Sequence, residues 1–377
     1  MKYYIIAGEA SGDLHASNLM HELSILDSNA NYRCWGGDMM ETQGGNIVKH
    51  YRDLAFMGFA EVVMNIRTIA RNLAFCKRDI VKFNPDVLIL IDYPGFNLRI
   101  ASFAKKQGIK TFYYISPQIW AWKKSRVHAI KRDIDKVFCI LPFEKDFYAK
   151  YNYNADYVGH PLLDALRKYH DAKTTESPAL ISLKQTDSRP IIALLPGSRK
   201  QEITKVLPVM VDATKHFPQY KFIIAGVKWQ PKELYQNIIG DKQIPIIWDE
   251  TYSLLKQSYA ALVTSGTATL ETALFNIPQV VLYQANGISY AIAKQIVKGI
   301  SFISLPNLIM DKAMVVELIQ QECCLKNVVS ELEMITTNIE NREKMLIEYE
   351  LLAQKLGNGN ASLKTAKIIY EELSLTK

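Results

Sequence analysis

Short apolar runs alternate along most of the chain with longer stretches whose apolar positions recur every three or four residues. The runs Tyr3–Ala7, Tyr32–Trp35, Val87–Ile91, Thr111–Ile115, Val137–Ile140 and Asp156–Val158 predict strands. Between them, Asp13–Leu26, Phe96–Lys106, Lys123–Arg132 and Phe143–Tyr151 predict helices. This order predicts a mostly parallel sheet with helices on both faces. The pattern breaks over the polar stretch His170–Arg189, which reads as a domain boundary. It then resumes, with strands at Ile191–Leu195, Lys221–Ala225, Ile244–Ile247, Ala260–Val263 and Gln279–Leu282. Helical patterns lie at Glu202–His216, Tyr252–Gln257, Ala268–Phe275 and Ser289–Val297. The tail from about Val328 is helical, with one break at Gly357–Asn360. The expectation is an α/β chain of two doubly wound domains, residues 1–185 and 186–349. A last helix, about 350–377, packs back on the first domain. In such folds ligands sit outside the carboxyl ends of the strands, here in a cleft between the two domains.

The length of 377 residues suits two domains. With 49% hydrophobic and 22% charged residues, disorder, collagen and coiled coil are excluded as the main architecture. The net charge of +7 is unevenly placed. Between Lys105 and Lys136 stand nine basic residues against Asp133 and Asp135, a surplus equal to that of the whole chain. This segment fits either an anionic partner (nucleotide, nucleic acid or anionic lipid) or a solvated helix face. The five cysteines are odd in number and form no C-x-x-C, so a reducing compartment fits better than a disulfide framework or a structural zinc site. The N-terminus reaches Gly8-Glu9 too soon for a signal peptide, and no run approaches the roughly 20 apolar residues of a spanning helix.

Three loops each follow a strand and open a helix. In Gly8-Glu9-Ala10-Ser11-Gly12-Asp13, small residues let a ligand approach, and Ser11 or Asp13 is placed to cap the helix. Its carboxylates suit hydroxyls better than phosphate. In Leu195-Pro196-Gly197-Ser198-Arg199, the helix-start amides and the Arg199 fork suit a diphosphate. In Thr264-Ser265-Gly266-Thr267-Ala268-Thr269, hydroxyls and amides offer further donors, and Glu271 lies one turn past Thr267, suited to a ribose. Each loop alone also reads as a plain turn; the last two together point to a nucleotide diphosphate. Asp92 ends the buried run Val87–Ile91 and either takes a proton from a substrate hydroxyl or caps the next helix.

Taken together, these segments resemble the lipid-A-disaccharide synthases. The resemblance rests on Gly8–Asp13, Asp92–Asn97, Tyr114–Trp122, Leu141–Glu144, Val158–Pro161, Leu194–Arg199, Ser265–Glu271 and Ser304–Leu308, in the family's order. It implies a GT-B glycosyltransferase of two Rossmann-like domains facing a cleft. It implies inverting transfer from UDP-2,3-diacylglucosamine to 2,3-diacylglucosamine 1-phosphate (lipid X), giving a β-1,6 disaccharide and UDP. No metal and no cofactor are expected. The resemblance further implies a peripheral, cytoplasmic location on the inner face of the inner membrane, against an anionic surface, and a possible homodimer through an exchanged C-terminal region. By position, Asp92 is the base, Glu9 and Ser11 face the cleft, and Arg199 binds the diphosphate. Glu271 and Asn307 belong to the nucleotide site. Trp35–Asp38, His15 and the linker Thr174–Ser188 match no assignable role. The stretch from Phe56 to Phe75, apolar with Arg67 and Arg71 interleaved, reads as an interfacial helix for acyl chains or as a core helix. The alternatives are another UDP-GlcNAc enzyme on the same scaffold, a peptidoglycan transferase or a 2-epimerase, or a nucleic-acid-binding protein resting on the basic segment alone. No recognised nucleic-acid motif accompanies that segment, so nucleic acid is not an expected partner.

Overall fold

A computed structural model describes residues 1–53, 66–122, 124–171, 177–285 and 301–375. Two compact units emerge: Met1–Lys168 with Leu356–Lys377, and Tyr169–Lys355. The division falls before the expected 185/186 break. The stretch read as a polar linker instead contains a helix, Pro178–Thr186. Ser177 caps it by accepting from the Leu180 N–H at 3.4 Å, and Leu180 is buried in the core of the second unit. One buried leucine and one cap outweigh a polar composition.

The first unit holds a seven-stranded parallel sheet in the order β3-β2-β1-β4-β5-β6-β7. Its strands are β1 Lys2–Ala7, β2 Asn31–Gly36, β3 Asn46–His50, β4 Val87–Ile91, β5 Lys110–Tyr114, β6 Lys136–Cys139 and β7 Asp156–Tyr157. All five residues of β4 are buried because both faces are covered. Val87, Ile89 and Ile91 meet Tyr3, Ile5 and Ala7 under the helices Ala10–Leu26 and Ala361–Ser374. Leu88 and Leu90 meet Tyr4, Ile6 and Trp35 under the helices Ile66–Phe83, Pro94–Lys106 and Arg126–Asp133. The C-terminal helix is held here by charge as well. The Asp164 carboxylate accepts from the Asn360 and Ser362 amides at its start, and Glu372 pairs with Lys136 at 2.8 Å.

The second unit holds a six-stranded parallel sheet in the order β10-β9-β8-β11-β12-β13. Its strands are β8 Ile191–Leu195, β9 Lys221–Gly226, β10 Ile246–Trp248, β11 Ser258–Thr264, β12 Gln279–Tyr283 and β13 Val316–Ile319. The expected helix Ser289–Val297 lies outside the described residues, as do Phe56–Asn65 of the expected interfacial stretch. Its described continuation, Ile66–Phe83, packs inward through Cys76 and Ile80 and by Asp79, which binds Arg33 and Tyr4. No helix among the described residues is long and apolar enough to cross a membrane.

Candidate active site

Both sheets reverse strand order once, and a doubly wound sheet binds ligands at that point. In the first unit the reversal lies between β1 and β4. The pairings Ala7↔Ile91 and Ile91↔Tyr114 bring three loop starts out of the sheet side by side. They carry Gly8-Glu9, Asp92-Tyr93 and Ile115-Ser116. Glu9 is the extended N-cap of the Ala10–Leu26 helix, and Ser11 stands exposed in its first turn. Asp92 and Tyr93 both take left-handed backbone, φ +43° and +50°. The Tyr93 ring lies over Gly8, where a Cβ would come within 2.3 Å of it. That contact requires glycine at position 8.

Asp92 is clamped by its main chain. Its carbonyl accepts from the Tyr113 hydroxyl and from the Asn97 side-chain amide, the latter at 2.7 Å. The carboxylate is partly buried, and burial, reinforced by the nearby negative charge of Glu9, pushes its pKa up to about 6. A carboxylate so tuned has the proton affinity that general base chemistry needs near neutral pH. Asp92 is not the helix cap that the sequence left open: Tyr93 holds the N-cap position of the Pro94–Lys106 helix, with no side-chain cap.

Asp13 is a different matter. It was read as a possible cap of its own helix and as part of a site for hydroxyls. Its carboxylate instead turns onto three backbone amides, Gly37 at 2.7 Å, Met39 at 3.1 Å and Met40 at 3.2 Å. It is 2% exposed and caps the short Asp38–Thr42 helix. This gives Gly36-Gly37-Asp38 a structural role, since a Cβ on Gly37 would lie 2.9 Å from the Asp13 carboxylate and 2.2 Å from the Tyr51 ring. His15, also without a role in the sequence, is driven down to about 4 by burial, as is His160 beside it.

In the second unit the reversal lies between β8 and β11, and a cavity of about 340 Å³ opens there. Gly197, Ser198, Arg199, Ser265, Gly266, Thr267 and Glu271 all line it. Gly197 has φ +93°, and a Cβ would sit 2.4 Å from a Glu202 oxygen. Arg199 is 67% exposed and pairs with Glu202 at 3.4 Å. Glu271 accepts from the Tyr252 hydroxyl at 2.9 Å, and burial raises its pKa. The Ser265 hydroxyl donates to the Ile303 carbonyl at 3.0 Å.

Two expectations change here. The amides of Ser198 and Arg199, read as free for a diphosphate, both donate to the Glu202 carboxylate at 3.2 Å. An i,i+3 capping box explains this, and the signal was legible in the spacing of Arg199 and Glu202. Asn307 does not reach this cavity. It is 1% exposed, with its amide donating to Val315 at 2.9 Å and Glu317 at 2.8 Å, and its oxygen accepting from Met314 and Val315. It fastens the Leu305–Met310 helix to β13. Among the described residues no group of three or more His, Cys, Asp or Glu side chains is placed to hold a metal ion.

Two Rossmann-like units, each with its functional loops at the switch point of a parallel sheet, define the GT-B architecture of glycosyltransferases and sugar-nucleotide epimerases. A UDP-GlcNAc 2-epimerase from Neisseria meningitidis, solved with UDP-GlcNAc bound, superposes with a TM-score of 0.68 over 100% of both chains at 15% identity, which shows the fold alone. The sequence profile of the Lipid-A-disaccharide synthetase family matches residues 3–369. Lipid-A-disaccharide synthases from Geobacter metallireducens and Syntrophus aciditrophicus are 34% and 35% identical. The first alignment covers 98% of this chain and 96% of the relative, the second 96% and 95%. The chain therefore belongs to the lipid-A-disaccharide synthetase family, and its reaction class is disaccharide-forming glycosyl transfer.

Proposed function

We propose that the chain transfers diacylglucosamine from UDP-2,3-diacylglucosamine to 2,3-diacylglucosamine 1-phosphate, forming a β-1,6 disaccharide and releasing UDP. Asp92 removes the proton from the acceptor's 6-hydroxyl as that oxygen attacks the anomeric carbon. Attack from the face opposite UDP inverts the centre, and the bond to the diphosphate breaks with its electrons. The second unit holds the leaving group: Arg199 neutralises the growing charge, and the amides of Gly266 and Thr267 with the Thr267 hydroxyl donate to it. Glu271 accepts from the ribose. Glu9 raises the basicity of Asp92 and, with Ser11, meets the acceptor's polar edge. The observation that carries this reading is the partly buried Asp92 carboxylate at the β1/β4 switch point, poised near 6.

The donor and acceptor both carry acyl chains, so the enzyme works at a membrane surface, on the inner face of the inner membrane. Much of the basic segment is already paired within the protein: Lys105 with Asp135, Lys110 and Lys136 with Glu372, Arg132 with Asp133. Lys124, exposed before the Arg126–Asp133 helix, is the better contact for anionic headgroups. Incubation with both diacylated substrates, followed by mass spectrometry, tests the reaction. Disaccharide 1-phosphate is expected, and none should form when UDP-GlcNAc replaces the donor. Epimerised UDP-GlcNAc without any disaccharide would contradict the proposal.

A further inference from the structure

Two segments of the chain, Tyr114–Trp122 and Leu141–Glu144, play no part in the reaction as written above. The structure joins them. β5 ends at Tyr114, and Ile115 then takes φ +59°. A β-branched side chain is strongly disfavoured in that region, and such strain persists only where the surroundings over-determine it. Ile115 follows Tyr114 as Asp92 follows its register partner Ile91, so two left-handed residues leave neighbouring strands together. The Asp92 N–H donates to the Tyr114 carbonyl at 3.4 Å.

The next residue, Ser116, is 4% exposed and donates its hydroxyl to Glu144 Oε1 at 3.0 Å. The other oxygen of Glu144 accepts from the amides of Leu141 at 3.0 Å and Ile140 at 3.3 Å, beyond the end of β6. Glu144 is 1% exposed, and among the described residues no cation pairs with it. Burial pushes its pKa up to about 7. Its neighbours are the Cys139 thiol and the Tyr148 and Tyr157 hydroxyls. The Trp120 N–H also faces it, buried but outside hydrogen-bonding geometry, with the indole edge-on to Phe143 at 4.9 Å. Capping the Pro142–Ala149 helix does not require a carboxylate this deep, because a solvated one caps equally well. An unpaired buried carboxylate is costly, so its contact with Ser116 calls for a reason.

We infer that Glu144 is a positioning residue: through Ser116 it holds the left-handed Ile115 turn against Asp92, fixing the base and keeping water from it. The inference rests on Asp92 being the base. Ser116→Ala tests it cleanly, since it removes one hydroxyl and leaves both amide bonds to Glu144. Turnover should fall on the order of tenfold, the effect of a misplaced base. UDP affinity and the acceptor KM should stay within about twofold, because the site that holds UDP is untouched. The acid limb of the pH–rate profile, near 6 in the parent, should move down toward the ordinary carboxylate range as water reaches Asp92. The groups that face Asp92, namely Glu9, Tyr93 and Tyr113, are unchanged in this variant. Glu144→Gln keeps the shape and a donor–acceptor pair, and should keep turnover within about threefold of the parent. An unmoved limb with parental turnover in Ser116→Ala would overturn the inference, as would an equal loss of UDP affinity. Full turnover in Asp92→Asn would overturn it together with the reading of Asp92 as base.

Discussion

The two sheets present opposite surfaces at equivalent topological positions. At the β1/β4 edge, Asp92, Tyr93 and Ile115 are non-glycine residues in left-handed backbone, and the charged side chains at the start of the loops are the carboxylates of Glu9 and Asp92. At the β8/β11 edge the positive-φ turn residues are glycines, Gly197 and Gly266, and an exposed cation, Arg199, stands beside them. Strain and buried acid prepare a group for chemistry. A glycine turn with an exposed cation prepares a surface for a ligand that comes and goes. On the reading proposed above, one topology serves a reacting group in one unit and a leaving group in the other.

Asp92→Asn attacks the contrast where it is sharpest. Turnover should fall about a thousandfold, the scale of general base catalysis, while UDP affinity measured by calorimetry stays unchanged. Arg199→Ala should do the reverse. Losing one charge-assisted contact should weaken UDP binding about 30-fold, and unchanged affinity would remove Arg199 from the site. Glu202→Gln refines the picture of the second edge. Its carboxylate occupies the Ser198 and Arg199 amides and lines the cavity, so it repels an incoming diphosphate. Removing that charge should tighten UDP binding about fivefold, equivalent to roughly 1 kcal/mol at an exposed site. Weaker binding would mean that the cap matters more than the repulsion. Asp13→Ala is the smallest perturbation of function. It leaves three amides of the Gly37–Met40 turn without their acceptor, and should cost about 2 kcal/mol in chemical denaturation with turnover per folded molecule unaltered.

Interior strands were legible because both faces are covered, so Val87–Ile91 and Ile191–Leu195 read as unbroken apolar runs. The edge strands β3 and β13 were not. Asn46–His50 and Val316–Ile319 carry polar residues at half-solvated positions and show neither a run nor an alternation. The Pro178–Thr186 helix was hidden by its polar exposed face. The position of Asp92 directly after a buried strand, and of Arg199 and Glu271 in segments that follow strands, was legible. The four protein hydrogen bonds of Asn307 were not legible, because in sequence a buried asparagine held by its own chain looks like one waiting for a ligand. Asp13 misled in the same way: its partners lie 24 to 27 residues away. Glu144 carried the helix-start signal of its segment, but no periodicity reports that a cap is buried against a distant turn.

The central claim is that burial and the charge of Glu9 together tune Asp92 into the base. The pH dependence of kcat/KM, measured side by side for the parent enzyme and Glu9→Gln, tests it most directly. Activity should fall as pH drops through about 6 in the parent, because the base is then protonated, and the limb should move to lower pH once the Glu9 charge is gone. A limb already in the ordinary carboxylate range, or one that Glu9→Gln leaves in place, would contradict it.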